Sequence, residues 1–308
     1  MQKQFKYKNI TWIDLTNPSA AEIAEVTGKF NIHPVAAAEL SSPSLRSKVD
    51  LYDDFIYLVL HFPNHRNSLT TDTNGHDAVE VDFIVGKNFL VTTSYEEIEP
   101  MQEFGKIFEA NSVLTKNKKD THAGFLLYHL LKHLYQSLEH NLDLINSHLK
   151  KAEAEIFSGN EKGMVKVLST INKKLLDFRG TLKSHREVLV SLENSGKEFF
   201  GDKFQYYLRA SGSEYKKAWY ALENSREFFN ELKQTNESLL QIKTAEATKT
   251  FSMLAFVTFP LSLIAAVLGL RAPGTPLVDS AFGFWIIAGL MLALIMGMMA
   301  FFKHKKWL

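Results

Sequence analysis

Short apolar runs of strand length punctuate the first third of the chain: Asn9–Leu15, Phe55–His61, Val79–Val85 and Phe89–Ser94. They are rich in β-branched and aromatic residues, which suit a pleated, half-buried surface. Gly86-Lys87-Asn88 separates the last two runs and predicts a hairpin. Pro63–Gly75 carries the polar, Asn and Gly signals of a loop. Ser19 or Asn17 can cap a helix that starts near Ala20, and Pro34–Leu40 and Tyr95–Asn111 read as further helices. From His122 the period lengthens to that of a helix, with breaks expected at Ser158-Gly159-Asn160, Asn194-Ser195-Gly196 and Ser211-Gly212-Ser213. Three or four long helices follow from this pattern. The last, Glu214–Thr250, carries Leu222, Phe229, Leu232, Leu239 and Ile242 at heptad-like spacing. Such a helix needs neighbours to cover its stripe, from its own chain or from sister subunits.

Beyond Thr250 the periodicity gives way to unbroken apolarity. Phe251–Leu270 is 20 residues without a charge, and Phe282–Phe302 is 21. At 1.5 Å per residue each spans roughly 30 Å, the hydrocarbon thickness of a bilayer. Arg271–Ala281 between them holds Pro273, Gly274 and Pro276, a turn exposed to water. The pattern predicts a transmembrane hairpin rather than a pair of buried core helices. Met1–Lys8 is polar and basic with no apolar stretch behind it, so a cleavable signal peptide is not expected. Lys303, Lys305 and Lys306 follow the second span and fit the positive-inside rule, with Trp307 suited to an interfacial anchor. Both termini are therefore expected in the cytoplasm.

Composition alters this picture mainly by concealing it. The chain has 308 residues, a formal net charge of +1 and a mean hydropathy of −0.11, values ordinary for a soluble protein. Of 35 Lys and Arg and 34 Asp and Glu, the segment Phe251–Phe302 holds only Arg271 and Asp279. The near-neutral charge argues against a non-specific nucleic-acid partner. Zero cysteine excludes disulfides, thiolate zinc sites and cysteine catalysis. No P-loop, GxGxxG, GxSxG or EF-hand loop occurs, so an enzyme is not expected and transport would run down a gradient.

The order of features resembles the CorA-type magnesium transporters, the two-transmembrane GxN family. The resemblance rests on Trp12-Ile13-Asp14-Leu15 before Pro18, on His33-Pro34 through Glu39-Leu40, on Lys48-Val49-Asp50 and Tyr52-Asp53-Asp54-Phe55, and on Val81 through Thr92. It rests further on Asn236-Glu237, on Phe259-Pro260-Leu261-Ser262-Leu263-Ile264-Ala265 and on the ending Phe302 through Leu308. It implies a CorA-like fold: an α+β cytoplasmic domain (1–120), long helices including a stalk (121–250) and a membrane hairpin (251–308, with spans 251–270 and 282–302). It also implies a homopentamer in a bacterial inner membrane, with the first spans lining an axial pore for divalent cations such as Mg²⁺, Co²⁺ or Ni²⁺. No cofactor is expected, apart from such a cation as the transported or a regulatory ion.

On the first span, Thr248, Ser252, Ala255, Phe259, Ser262, Ala266 and Gly269 recur three or four apart and share one helical face. Apart from Phe259 they are small or hydroxylated. Such a stripe can pack against another helix or line water. In a pore, Phe259 would be a hydrophobic constriction able to gate by dewetting.

At the outer end of that span the family signature is Gly-Met-Asn, and this chain has Gly269-Leu270-Arg271. In the family the Asn carbonyl faces the incoming ion and holds Mg²⁺ through its water shell, chemistry that suits an ion reluctant to dehydrate. Arginine offers donors and no acceptor. Arg271 could turn outward to headgroups or pair with Asp279, leaving a cation path. It could instead select anions, or mark a relative that serves a structural or sensing role without transport.

The histidines offer a second chemistry. His122, His129, His133 and His140 fall on one helical face, a spacing that can share a Zn²⁺, Co²⁺ or Ni²⁺ ion or sense pH. The same spacing also suits a solvated or inter-helix face. Asp50, Asp53 and Asp54 form a local acidic cluster that a turn explains equally well.

Overall fold

The computed structural model describes residues 2–64, 78–109, 122–269 and 282–305. In chain order the elements are β1 (Gln2–Tyr7), β2 (Ile10–Thr16), α1 (Ala20–Lys29), α2 (Pro34–Glu39), β3 (Lys48–Leu51), β4 (Phe55–Pro63), β5 (Ala78–Gly86) and β6 (Phe89–Ser94). They continue with α3 (Glu99–Glu109), α4 (Ala123–Phe157), α5 (Glu161–Leu182), α6 (His185–Phe200), α7 (Gln205–Gly269) and α8 (Gly283–His304). The chain divides into two units, Met1–Asn236 and Glu237–Leu308, and α7 contributes to both.

In the first unit six strands form one sheet in the order β1-β2-β6-β5-β4-β3. β2 and β6 run parallel, with Trp12 opposite Leu90, and every other pair is antiparallel. The two edge strands, β1 and β3, are the ones the apolar pattern did not announce. Their residues are partly exposed, so they lack a continuous apolar run. β1 is held by register: Phe5 sits opposite Trp12 and stacks on it at 4.6 Å. Asp53 and Asp54 occupy the bend between β3 and β4, while Asp50 lies in β3 and pairs with Lys48 at 2.8 Å.

Each face of the sheet is covered by helices. On one, Ile13, Leu15, Tyr57, Val59 and Ile84 pack beneath Ile23 and Val26 of α1 and Ala36 of α2. On the other, Trp12 meets Phe104 and Phe108 of α3 at 5.6 and 5.7 Å, and Phe62 meets Tyr135 of α4 and His185 of α6 at 6.0 and 5.3 Å. The Trp12-Ile13-Asp14 motif acquires a reason here. Trp12 Nε1 donates to Thr92 Oγ1 at 3.0 Å, and that hydroxyl donates to Asp14 Oδ1 at 2.7 Å, so three buried polar groups satisfy one another. Ser19 caps α1 in a full capping box: its Oγ accepts the Glu22 N–H at 3.3 Å, and Glu22 Oε2 accepts the Ser19 N–H at 2.8 Å.

The helical breaks differ from expectation at two of three places. Ser158-Gly159-Asn160 does separate α4 from α5, and Gly159 takes φ +100°, which favours glycine. Asn194-Ser195-Gly196, in contrast, lies inside α6. Gly196 is buried, and a Cβ there would run into the side chain of Leu208 from α7, so the glycine serves close packing and not a turn. Ser211-Gly212-Ser213 lies inside α7, where Ser211 and Ser213 donate their hydroxyls to the carbonyls of Tyr207 and Arg209 at 3.3 and 3.2 Å and so have no need of a turn to satisfy them. The long helix therefore starts at Gln205 and not at Glu214. The true breaks fall at Lys183-Ser184 and at Gly201, whose φ is +90°.

Leu208, Ser211, Tyr215, Ala218, Leu222, Ser225, Phe229, Leu232 and Asn236 are the buried seam of α7, at alternating spacings of three and four. Tyr215 meets Tyr135 of α4 and His185 of α6, and Glu223 pairs with Arg179 of α5 at 3.5 Å. Leu239 continues this register and is half-buried; Ile242 leaves it and is exposed.

Candidate functional site

The second unit contains the two apolar helices. The α7 segment up to Gly269 and α8 (Gly283–His304) are each long and apolar enough to cross a bilayer, and none of either apolar window is buried within the chain. Large apolar side chains exposed all round mark a helix whose solvent is lipid or another subunit.

Burial along α7 sorts its faces. Met253, Val257, Leu261, Ile264 and Leu268 are half-buried, whereas Thr248, Ser252, Phe259, Ser262, Ala266 and Gly269 are exposed. A displacement of two residues turns a helix by about 200°. Hence Phe259, Ser262 and Ala266 lie nearly opposite Val257, Pro260 and Ile264. The expected stripe is left uncovered by the chain's own α8, with Ala255 the one member that is half-buried. Phe259 is 76% exposed, the largest apolar group on that face. Thr248 Oγ1 donates to the Thr244 carbonyl at 2.9 Å, which leaves the hydroxyl lone pairs free to accept from outside the helix. Pro260 has no N–H, so the Phe256 carbonyl loses its intrahelical partner. Leu270, Arg271 and Asp279 lie outside the described residues.

The histidine stripe is not brought together. His122 precedes α4 as its N-cap and stacks on Phe200 at 4.5 Å. His129 lies against Tyr128, and burial, then Lys132, holds it below the ordinary imidazole value. His133 Nε2 lies 3.6 Å from Glu103 Oε2, and His140 is exposed. Among the described residues no group of three or more His, Asp or Glu is placed to hold a metal ion.

A polar network centres on His61 of β4, between Glu80 of β5 and His185 of α6. His185 is fully buried and held neutral, at about 4, mainly by desolvation. Its Nε2 donates to the His61 carbonyl at 2.8 Å, which fixes Nδ1 as acceptor for the Tyr135 hydroxyl at 2.9 Å. The His61 ring lies 3.0 Å from Ser47 Oγ and 3.0 Å from the Ser44 carbonyl, and 3.3 Å from Glu80 Oε2, whose hydrogen bond raises its affinity for protons. Glu80 and Asp82 alternate with apolar residues along β5, a period-two signal that places both on one face of a buried strand. That signal alone could have singled them out.

The CorA-like Mg²⁺ transporter family model matches residues 7–304. The chain is 25% identical to the cobalt/magnesium transport protein CorA of Thermotoga maritima, over 97% of this chain and 83% of that one. It is 24% identical to the putative metal ion transporter YfjQ of Bacillus subtilis, over 96% and 89%, and 20% identical to the zinc transport protein ZntB of Yersinia enterocolitica, over 96% and 86%. The complete structure of the CorA magnesium transporter from Methanocaldococcus jannaschii shares the fold with a TM-score of 0.82, covering 99% of this chain and 93% of that one at 20% identity. Full-length CmaX does so with a TM-score of 0.71, over 97% and 89% at 15% identity. With its α+β domain, its long helix and its two exposed apolar helices matched over nearly its whole length, the chain is a membrane protein that belongs to the CorA-like Mg²⁺ transporter family.

Proposed function

We propose that this chain assembles as a homopentamer in which the stripe of α7 lines an axial pathway for divalent cations. The observation that carries this reading is the uncovered face from Thr248 to Gly269, small and hydroxylated but for Phe259, on the side away from α8. An apolar span that leaves its least apolar face unpartnered needs either a sister helix or water there, and a ring of five copies supplies both. Serine and threonine oxygens accept hydrogen bonds from the water shell of a divalent ion. Phe259 would form the constriction, and Leu239 and Ile242 would find partners on neighbouring stalks. The relatives' names, which speak of cobalt, magnesium and zinc, support a divalent cargo. Both termini lie in the cytoplasm of a bacterial cell, with a short external loop, in keeping with Lys303 and Lys305 after the second span.

Arg271 supports a second reading. Five guanidinium groups at the pore mouth would repel cations, giving an anion-permeable channel, or a protein whose role is structural. Uptake of Mg²⁺, Ni²⁺ and chloride into proteoliposomes by the full chain and by Arg271→Asn separates the two. The cation reading expects Mg²⁺ or Ni²⁺ flux in the wild type, and flux that rises in Arg271→Asn if the guanidinium faces the ions. Flux that is unchanged in that variant places Arg271 away from the path. Chloride flux alone, or none from a protein shown to be pentameric by its mass, overturns the cation reading.

A further inference from the structure

Within the second unit, α7 and α8 leave a groove of about 670 Å³ between Phe256 and the stretch Leu290–Phe302. Its lining is apolar throughout. Ala293 and Gly297, one turn apart on the same face of α8, hollow it out, and a Cβ added at Gly297 would meet nothing within 4 Å. Phe256 and Phe302 close one end, their rings 6.1 Å apart and edge-on. From Leu290 to Phe302 the groove runs about 18 Å at 1.5 Å per residue, close to the depth of one leaflet of a bilayer whose core is about 30 Å thick. Its volume falls within the range of about 300–1,000 Å³ typical of ligand sites.

The charge at the closed end is of one sign. Positions seven apart recur on the same helical face, so Gly297 and Met298 are followed on the groove face by His304 and Lys305, both exposed. By the same spacing Phe256 is preceded on α7 by Lys249, also exposed. Glu246, the acid nearest to Lys249 on α7, lies about 80° round the helix from Phe256.

We propose that this groove holds one acyl chain of an anionic phospholipid of the cytoplasmic leaflet, with the headgroup phosphate between Lys249 and Lys305. The alternative occupant is an apolar helix of a second copy. Both spans of this chain carry lysines at the same end, Lys249 on one and Lys303 and Lys305 on the other. Copies at one depth in the proposed pentamer bring these lysines together as well, so the cluster of like charge at this end calls for an anion, and a headgroup phosphate supplies one. The apolar tail replaces water-excluded contacts that Gly297 and Ala293 leave unmade, and the two ammonium groups favour a negative headgroup.

The test is native mass spectrometry of the full chain extracted from nanodiscs of mixed phosphatidylcholine and phosphatidylglycerol. The wild type is expected to retain phosphatidylglycerol in preference. Lys305→Gln, which leaves the apolar lining intact, is expected to lower that retention about fivefold, the effect of one basic residue near an anionic surface. Gly297→Leu, which fills the groove, is expected to lose both lipids. Equal retention of the two lipids by the wild type, or wild-type retention by Gly297→Leu, overturns the proposal. The natural chain has no cysteine, so Ala293→Cys is a clean probe of the rival occupant. Oxidation in the nanodisc should leave that variant uncrosslinked, and a disulfide-linked dimer through position 293 overturns the lipid assignment.

Discussion

Asp82 offers the sharpest check on the first unit. It lies on β5 with no exposed surface, opposite Val59 of β4 and Thr93 of β6. Glu80, two residues away on the same face, accepts the Ser44 N–H at 2.7 Å and stands 3.3 Å from His61 Nε2. Burial first, and then the charge on Glu80, pushes Asp82 up from 3.8 to about 9. Asp82 is thus a neutral carboxyl at pH 7. Holding an acid protonated about three pH units above its ordinary value costs about 4 kcal/mol. A carboxyl raised on folding contributes stability that is full below 3.8 and is lost as pH rises towards about 9. Asp82→Asn supplies the neutral shape without the proton. It should therefore be more stable than the wild type at pH 7, by up to about 4 kcal/mol, with the gain vanishing near pH 4. Thermal unfolding of the full chain in detergent, followed by tryptophan fluorescence at pH 4, 7 and 9, reads this directly. An Asp82→Asn protein that melts below the wild type at pH 7, or a difference that does not change with pH, would refute the reasoning.

Two further outcomes follow from named contacts. His185, held neutral at about 4, must stay unprotonated to fold; its depressed value means stability is full above about 6.5 and falls by about 3 kcal/mol as pH drops to 4. His185→Gln should flatten that acid limb in the same unfolding assay while orphaning either Tyr135 or the His61 carbonyl. Ser19→Ala removes the α1 capping box and should cost about 1 kcal/mol, visible as faster amide exchange in Ala20–Lys29 with the rest of the sheet unchanged.

Where a property is local, the chain's own pattern carried it. The inner strands β2, β4, β5 and β6 emerge from short apolar runs because a strand buried on both faces needs a continuous apolar stretch. The cap at Ser19 was equally legible, since the capping box uses side chains three residues apart. Edge strands β1 and β3 were not, because half their surface faces solvent and their order comes from pairing with β2 and β4. Gly196 and the serines near Gly212 carry the residue types of turns yet lie in helices. Whether a glycine breaks a helix or admits a neighbour depends on what stands opposite it, and here that is Leu208.

For the candidate site the division is the same. The two spans and the small-residue stripe on the first are matters of length, charge-free composition and a 3.6-residue period, so the sequence by itself determined them. It also placed four histidines on one helical face. Only the tertiary structure decided what each meets: an aromatic cluster at His122, Glu103 at His133, solvent at His140. It alone joined His61, Glu80, Tyr135 and His185 into one network from β4, β5, α4 and α6. Helical and strand periods specify which residues share a face. Partners across that face belong to distant segments of chain, and only packing brings them within the few ångströms at which hydrogen bonds and charges act.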